Sequence, residues 1–424
     1  MRGTLQRRVS IVKRTLFLSF VAALGGILFG YDTAVISGTI AAVGERFELD
    51  ALAKGWYVGC ALVGSIAGVS VAGWLGDRFG RKPAMLFSAV LFTVSALGCM
   101  WCVGFADLVA YRIIGGVGIG IVSIVSPVYI SEISPQKVRG MMVLLYQLAI
   151  SAGFVLAYLV NYLLLVNVDV PELWRIMLGA EAVITILFLC VVFLIPESPR
   201  WIEAHTCGGV LRRRVPWGEL KKPGIVKAMA VGCAIALLGQ FMGVNAVLYY
   251  GPEIFANAGF AARDSSFSTV LVGLVNMFST ILAVFLIDRI GRKGLVYIGV
   301  SLMIVCLVLI GAMFEMHVKG LAFVSAFLVY IFAQAISISA VVFVLLSEMY
   351  PDRVRAVAMS VAGFALWIGT YLIGQFTPWC MAKLGSSGTF LFFAAMCVPY
   401  LMIIKFLVPD TTGKSLEEIE SFWS

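Results

Sequence analysis

Charge is scarce in this sequence: Asp, Glu, Lys and Arg make up 13% of its 424 residues, about half the share of a soluble globular chain. Apolar residues make up 61%. Packing that much apolar material into one soluble core would leave large greasy patches outside, so a water-soluble fold is excluded and a bilayer is the expected solvent. Intrinsic disorder, which needs low hydrophobicity, is excluded with it. Histidine occurs twice, at His205 and His317. Both lie in polar gaps, so a histidine-rich metal centre is not expected. No Gly-x-x-x-x-Gly-Lys-Ser/Thr sequence occurs, which disfavours ATP-driven work, and no nucleophile-and-base constellation points to an enzyme. No Asn-x-Ser/Thr sequon occurs either, which fits a prokaryotic plasma membrane.

The net charge of +8 could suggest nucleic acid, but the basic residues fall in short gaps between apolar runs and form no binding patch, so no nucleic-acid partner is expected. The nine cysteines lie mostly within apolar runs, where a thiol packs as a small hydrophobe. Cys99 and Cys102 form the one Cys-x-x-Cys, without a second such pair to complete a metal site. The first apolar stretch is too long for a cleavable leader, and none is expected.

Apolar stretches fall at about 16–40, 55–76, 84–103, 108–130, 141–165, 174–195, 226–256, 267–287, 294–314, 321–346, 357–380 and 388–408. Each is long enough to span, which predicts an all-α membrane protein with twelve transmembrane helices. With a cytoplasmic N-terminus, 24 of the 31 Lys and Arg fall on the inside, 6 in the outside loops, and Arg112 lies within a span. The asymmetry predicts that both termini are cytoplasmic.

A duplication runs through the gaps. DRFGRK at 77–82 recurs as DRIGRK at 288–293, SEISPQKVRG at 131–140 as SEMYPDRVRA at 347–356, and Pro196-Glu197 as Pro409-Asp410. The offsets of 211, 216 and 213 describe two six-helix bundles in the same orientation, at 1–200 and 226–424, joined by a short polar connector at 201–225.

These residues resemble the sugar porter branch of the major facilitator superfamily, most like its bacterial xylose:proton symporters. The resemblance runs nearly end to end through GGILFGYDTAVISG (25–38), GWLGDRFGRK (73–82), YRIIGGVGIG (111–120), PESPRW (196–201), GQFMGVNAVLYY (239–250), DRIGRK and PDTTGKSLEEIE (409–420). It implies alternating access, with a small-molecule sugar or glycoside as substrate, a proton as coupling ion and no cofactor. A monomer in the plasma (inner) membrane is expected.

Asp32, Arg112 and Glu181 are the ionisable residues deepest in the spans. A charge there costs about 2.5–3.5 kcal/mol even on the lenient insertion scale, so each needs a partner or a task. In the family, the acid of FGYD takes the proton and pairs with the arginine that opens RxxxGxxxG, and uniporters carry an amide at that place. Here it is an acid, which favours symport. A facilitative uniporter, a sugar sensor without transport and a static ion pair are the alternatives.

Asp77, Arg78, Arg81, Glu132, Arg139 and Glu197, with Asp288, Arg289, Arg292, Glu348, Arg355 and Asp410 in the second copy, resemble the family's inner gating network. By position in the motifs, Gln147, Gln240, Asn245, Tyr249, Asn276 and Trp367 match sugar contacts, and Phe29 an apolar wall. Tyr249, Tyr250 and Gly251-Pro252 suggest a broken span seven serving as an outer gate, since an internal proline removes a backbone hydrogen bond. The chain departs from the symporters at Phe154, Gly239 and Leu366, where they carry glutamines. Ser339 and Phe343 replace a Gly-Pro break and a tryptophan in span ten, which predicts a stiffer helix there. A less hydroxylated sugar, or one with an apolar aglycone, suits such a pocket.

Overall fold

The computed structural model describes residues 2–135, 138–206, 217–351 and 354–409, without the side chains of 2–14, Gly140, Ala204, Trp217, Val284, Asp288 and Ala356. Within a bilayer every backbone group must find its partner inside the chain, and helices do so segment by segment. All regular structure among the described residues is helical. The main helices of the first half are α1 (Arg2–Val35), α2 (Ala51–Phe79), α3 (Arg81–Trp101), α4 (Phe105–Ile133), α5 (Arg139–Asn167), α6 (Leu173–Gly179), α7 (Glu181–Leu194) and α8 (Pro199–Thr206). Those of the second are α9 (Pro223–Gln240), α10 (Val244–Asn257), α11 (Ala262–Ile290), α12 (Arg292–Glu315), α13 (Leu321–Gln334), α14 (Ala340–Met349) and α15 (Arg355–Phe406). Among the described residues, eleven stretches are long and apolar enough to cross a membrane. Phe20, Val183, Leu194, Phe278 and Phe406 stand exposed on them, the arrangement expected of faces turned to lipid.

Small residues set how closely these helices approach. A Cβ at Gly64 or Gly68 of α2 would overlap the carbonyls of Ile113 or Val117, and one at Gly116 or Gly120 of α4 those of Ala61 or Ser65. Two Gly-x-x-x-Gly stripes thus bring backbone against backbone, the packing available where no hydrophobic force drives helices together. Gly120→Val should cost at least about 1–3 kcal/mol, as overpacking does. A lowered thermal unfolding midpoint in detergent checks this; an unchanged midpoint contradicts it.

The chain forms two compact units. The first comprises Met1–Glu48 and Cys60–Leu211, the second Leu49–Gly59 and Arg212–Ser424. The opening turns of α2 thus belong to the second unit. There Lys54 lies 3.5 Å from Glu253, and Gln375 Nε2 donates to the Leu52 carbonyl at 3.0 Å.

Spans seven and ten differ from expectation. Span seven is broken, but between α9 and α10 at Phe241–Gly243, where Gly243 takes φ +89°, while Pro252 is absorbed inside α10. A positive φ costs glycine little, so the turn forms at Gly243. Span ten is not a plain stiff helix: α13 and α14 are joined by a π-helical turn over Ala335–Ser339. Such turns insert an extra residue and loosen the local ladder without any proline. The last two spans are two helices within α15 that meet in a kink at Gly385, where φ is 72° and ψ 170°.

Candidate functional site

In α4, Arg112 stands one turn before Gly116, so the stripe that seats α4 on α2 also fixes the height of the guanidinium. The neighbouring Gly115 clears the other side: a Cβ there would collide with Ser95 and lie 3.7 Å from Asp32 Oδ1. In the space left, Arg112 Nη1 donates to Asp32 Oδ1 at 2.5 Å and Nη2 to the Asp32 carbonyl at 3.4 Å. Both residues are fully enclosed, 1% and 2% exposed. Glu181 sits beside Asp32, equally buried. It opens α7 at the break after Ala180, where the positive end of the helix dipole favours an anion. Among the described residues no donor reaches Asp32 Oδ2 or Glu181 Oε1. Two carboxylates face one guanidinium. If both are ionised, one negative charge lacks a counter-charge within the trio, and a buried uncompensated charge is costly. One added proton makes the cluster neutral.

The DRFGRK end of the first unit carries a second network. Arg81 reaches Glu132 Oε1 at 3.0 Å and Asp77 Oδ1 at 3.2 Å. Ser198 Oγ donates to Glu132 at 2.6 Å, and Trp201 Nε1 donates to the Asp77 carbonyl at 2.8 Å. Glu197 caps α3, accepting from the backbone N–H of Arg81 and Lys82 at 3.0 and 3.1 Å. Gly80, with φ +108°, admits it, since a Cβ there would overlap the carboxylate. Arg78 stands apart, stacked over Trp74 and Phe79. Arg139, at the start of α5, has no partner for its Nε among the described residues. In the second copy Arg292 pairs with Glu348 at 3.0 Å, Arg355 donates to the Tyr350 carbonyl at 3.2 Å, and Arg289 is exposed. The Asp288 side chain and Asp410 lie outside the described residues.

In the second unit the break in span seven falls between two amides from the sequence reading. Asn245 Nδ2 donates to Gln240 Oε1 at 2.7 Å, and Thr370 Oγ1 donates to the same oxygen at 3.2 Å. Trp367 lies three residues before Thr370, on the same face of α15. Tyr330 pins the break by donating to the Met242 carbonyl at 2.7 Å, and Tyr250 donates to the Gly374 carbonyl at 2.5 Å. Tyr249 and Asn276 are buried. In the first unit Gln147 is exposed on α5 and Phe29 is half-buried on α1. Thr370 and Ser198 escaped the sequence reading as site residues. One turn from Trp367, and inside PESPRW, their places were the available signal.

Two successive stretches, 18–207 and 208–423, match the family described as "Sugar (and other) transporter". The chain belongs to this sugar transporter family. Its family relatives include the arabinose-proton symporter of Bacillus subtilis, 35% identical over 96% of this chain and 95% of that protein. The D-xylose-proton symporter of Escherichia coli is 33% identical over 96% and 95%. Among solved structures, the inward-open xylose transporter XylE from E. coli superposes with a TM-score of 0.84, at 32% identity, over 96% of this chain and 99% of that one. Like other members of the sugar transporter family, the chain is a multi-pass membrane transporter and not an enzyme.

Proposed function

We propose that the chain is a proton-coupled sugar symporter of the plasma membrane, working by alternating access as a monomer and using a proton, with no cofactor, as its coupling ion. The observation that carries the reading is the sealed Asp32–Arg112 pair with Glu181 beside it. An ion pair this enclosed can accept a proton on Asp32 only if Arg112 withdraws or is repaid elsewhere, so protonation and the geometry of α1 against α4 are tied together. A ligand or proton that favours one geometry shifts the equilibrium between two states. The Arg81–Glu132–Asp77 network suits a gate. Its pairs are individually weak, but together they bias whichever state holds them.

Two further points are inferred with it. The stretch Val357–Phe406 has 50 residues, about 75 Å at 1.5 Å per residue, more than twice the hydrocarbon thickness. Counting it as two spans about Gly385 favours twelve, and the 24 to 6 split of basic residues supports cytoplasmic termini.

For the substrate, Gln240, Asn245 and Trp367, with Gln147, Tyr249 and Asn276, are the proposed contacts and Phe29 an apolar wall. Phe154 packs on Tyr158, and a Cβ at Gly239 would stand 3.6 Å from Ile338 and 3.7 Å from Tyr400, so both positions have apolar surroundings. Half-buried Leu366 has more freedom. Leu366→Gln should therefore strengthen D-xylose binding by about 2–12-fold, the worth of one regained hydrogen bond. Calorimetry on purified protein reads this, and no gain would remove Leu366 from the pocket.

Counterflow in proteoliposomes tests transport itself: entrapped unlabelled L-arabinose, D-xylose or D-glucose should draw in the labelled sugar. Failure with every pentose and hexose tried would defeat the sugar reading.

A further inference from the structure

Gln334, the last residue of α13, is the one amide of that helix and only 4% exposed. Its Nε2 donates to Ser339 Oγ at 2.9 Å, while Oε1 has no partner among the described residues. Turning the amide over would only exchange which end is orphaned, since a single hydroxyl faces it. An unpartnered amide end at membrane depth costs free energy unless something else meets it.

The bond to Ser339 exists because of the π turn. At 100° per residue, side chains five apart on an α-helix lie about 140° apart around the axis and do not meet. The wider π turn over Ala335–Ser339 brings positions 334 and 339 to one face. Ser337, inside the turn, bonds the Ala333 carbonyl at 2.6 Å, and Gly299 of α12 leaves it room, since a Cβ there would overlap Ser337. The turn is thus built into its neighbours. Ser339, by contrast, is exposed near the middle of the span Leu321–Met349, as is Phe343 one turn on. Polar groups at such depth face a cavity or a partner and not lipid. Ile338, next to Ser339, would stand 3.6 Å from a Cβ at Gly239, the neighbour of Gln240 in the Gln240–Asn245–Thr370 network.

We propose that the orphaned end of the Gln334 amide and the Ser339 hydroxyl form a subsite for one sugar hydroxyl, placed by the π turn of span ten. Its chemistry is that of a neutral polyol: one donor–acceptor pair, no charge, and the Phe343 ring alongside. The proposal rests on the reading of the chain as a sugar transporter. Amides missing at Phe154, Gly239 and Leu366 are thereby offset by one supplied from span ten.

The test is binding by purified full-length protein of L-arabinose, D-xylose, D-glucose and the mono-deoxy analogues of whichever binds. Wild type should bind one deoxy analogue about 3–10-fold more weakly than its parent at the hydroxyl Gln334 receives, the net worth of one hydrogen bond. Gln334→Leu should bind the parent weakly by the same factor and lose discrimination at that hydroxyl alone. A purely structural role for Gln334 would lower affinity for all analogues alike, and that result, or no change at all, overturns the proposal. If Gln334→Leu does not fold, Ser339→Ala must blunt discrimination at one hydroxyl; uniform behaviour again overturns it. Wild-type protein that binds no sugar defeats the transporter reading and the subsite with it, whereas sugar binding indifferent to Gln334 and Ser339 defeats the subsite alone.

Discussion

Asp32→Asn should abolish accumulation of sugar against its gradient while leaving binding and exchange intact. The amide keeps the shape of the acid and still offers Arg112 an oxygen in place of Oδ1, so the fold around the 2.5 Å contact survives. It carries no charge to hold Arg112 and takes up no proton. The variant therefore mimics the protonated carrier, and the two states can interconvert with or without sugar. In wild type each pH unit across the membrane can support about a tenfold sugar gradient at one proton per sugar. In the variant the internal concentration should stop at the external one. Glu181, the adjacent acid, is the control. If Glu181→Gln retains accumulation, Asp32 is the seat of coupling; if Glu181→Gln loses it as well, the two acids act as one site.

Arg112→Leu should be the most damaging single change to the fold. It leaves two enclosed carboxylates without their cation, and removing one partner of a buried ion pair costs about 3–5 kcal/mol. Much of that cost is the stranded acid and not the lost attraction. Arg112→Leu combined with Asp32→Asn should therefore unfold at a higher temperature than Arg112→Leu alone. Thermal unfolding of the four proteins in detergent measures the cycle. Strict additivity would mean that the pair contributes no coupling energy and that Arg112 is held by other contacts.

The parts of the site that were legible in the sequence are those where burial makes chemistry conspicuous. Asp32, Arg112 and Glu181 stand out because charge within a span is costly, and the structure joins Asp32 to Arg112 with Glu181 alongside. Arg81, Glu132 and Asp77 were marked by their recurrence, and they meet. Arg78 carries the same mark, yet it stacks on two aromatic rings, because a repeat records position and not pairing. The break in span seven was expected at Pro252, the one residue there with an obvious defect. It formed instead at Gly243, and with 43 glycines in the chain nothing in composition singles that one out. The π turn of span ten has no residue signature at all. Without it, a lone Gln334 reads as one more interhelical amide.

Coupling itself is tested most directly by wild-type protein in sealed proteoliposomes with an alkaline interior, given labelled L-arabinose or D-xylose at equal concentration on both sides. The sugar should rise inside above its external level, fall back to equality when a protonophore is added, and never rise in vesicles without a pH difference. Uptake that merely equalises, with or without the gradient, would contradict the account and leave Asp32 and Arg112 as a structural ion pair in a uniporter.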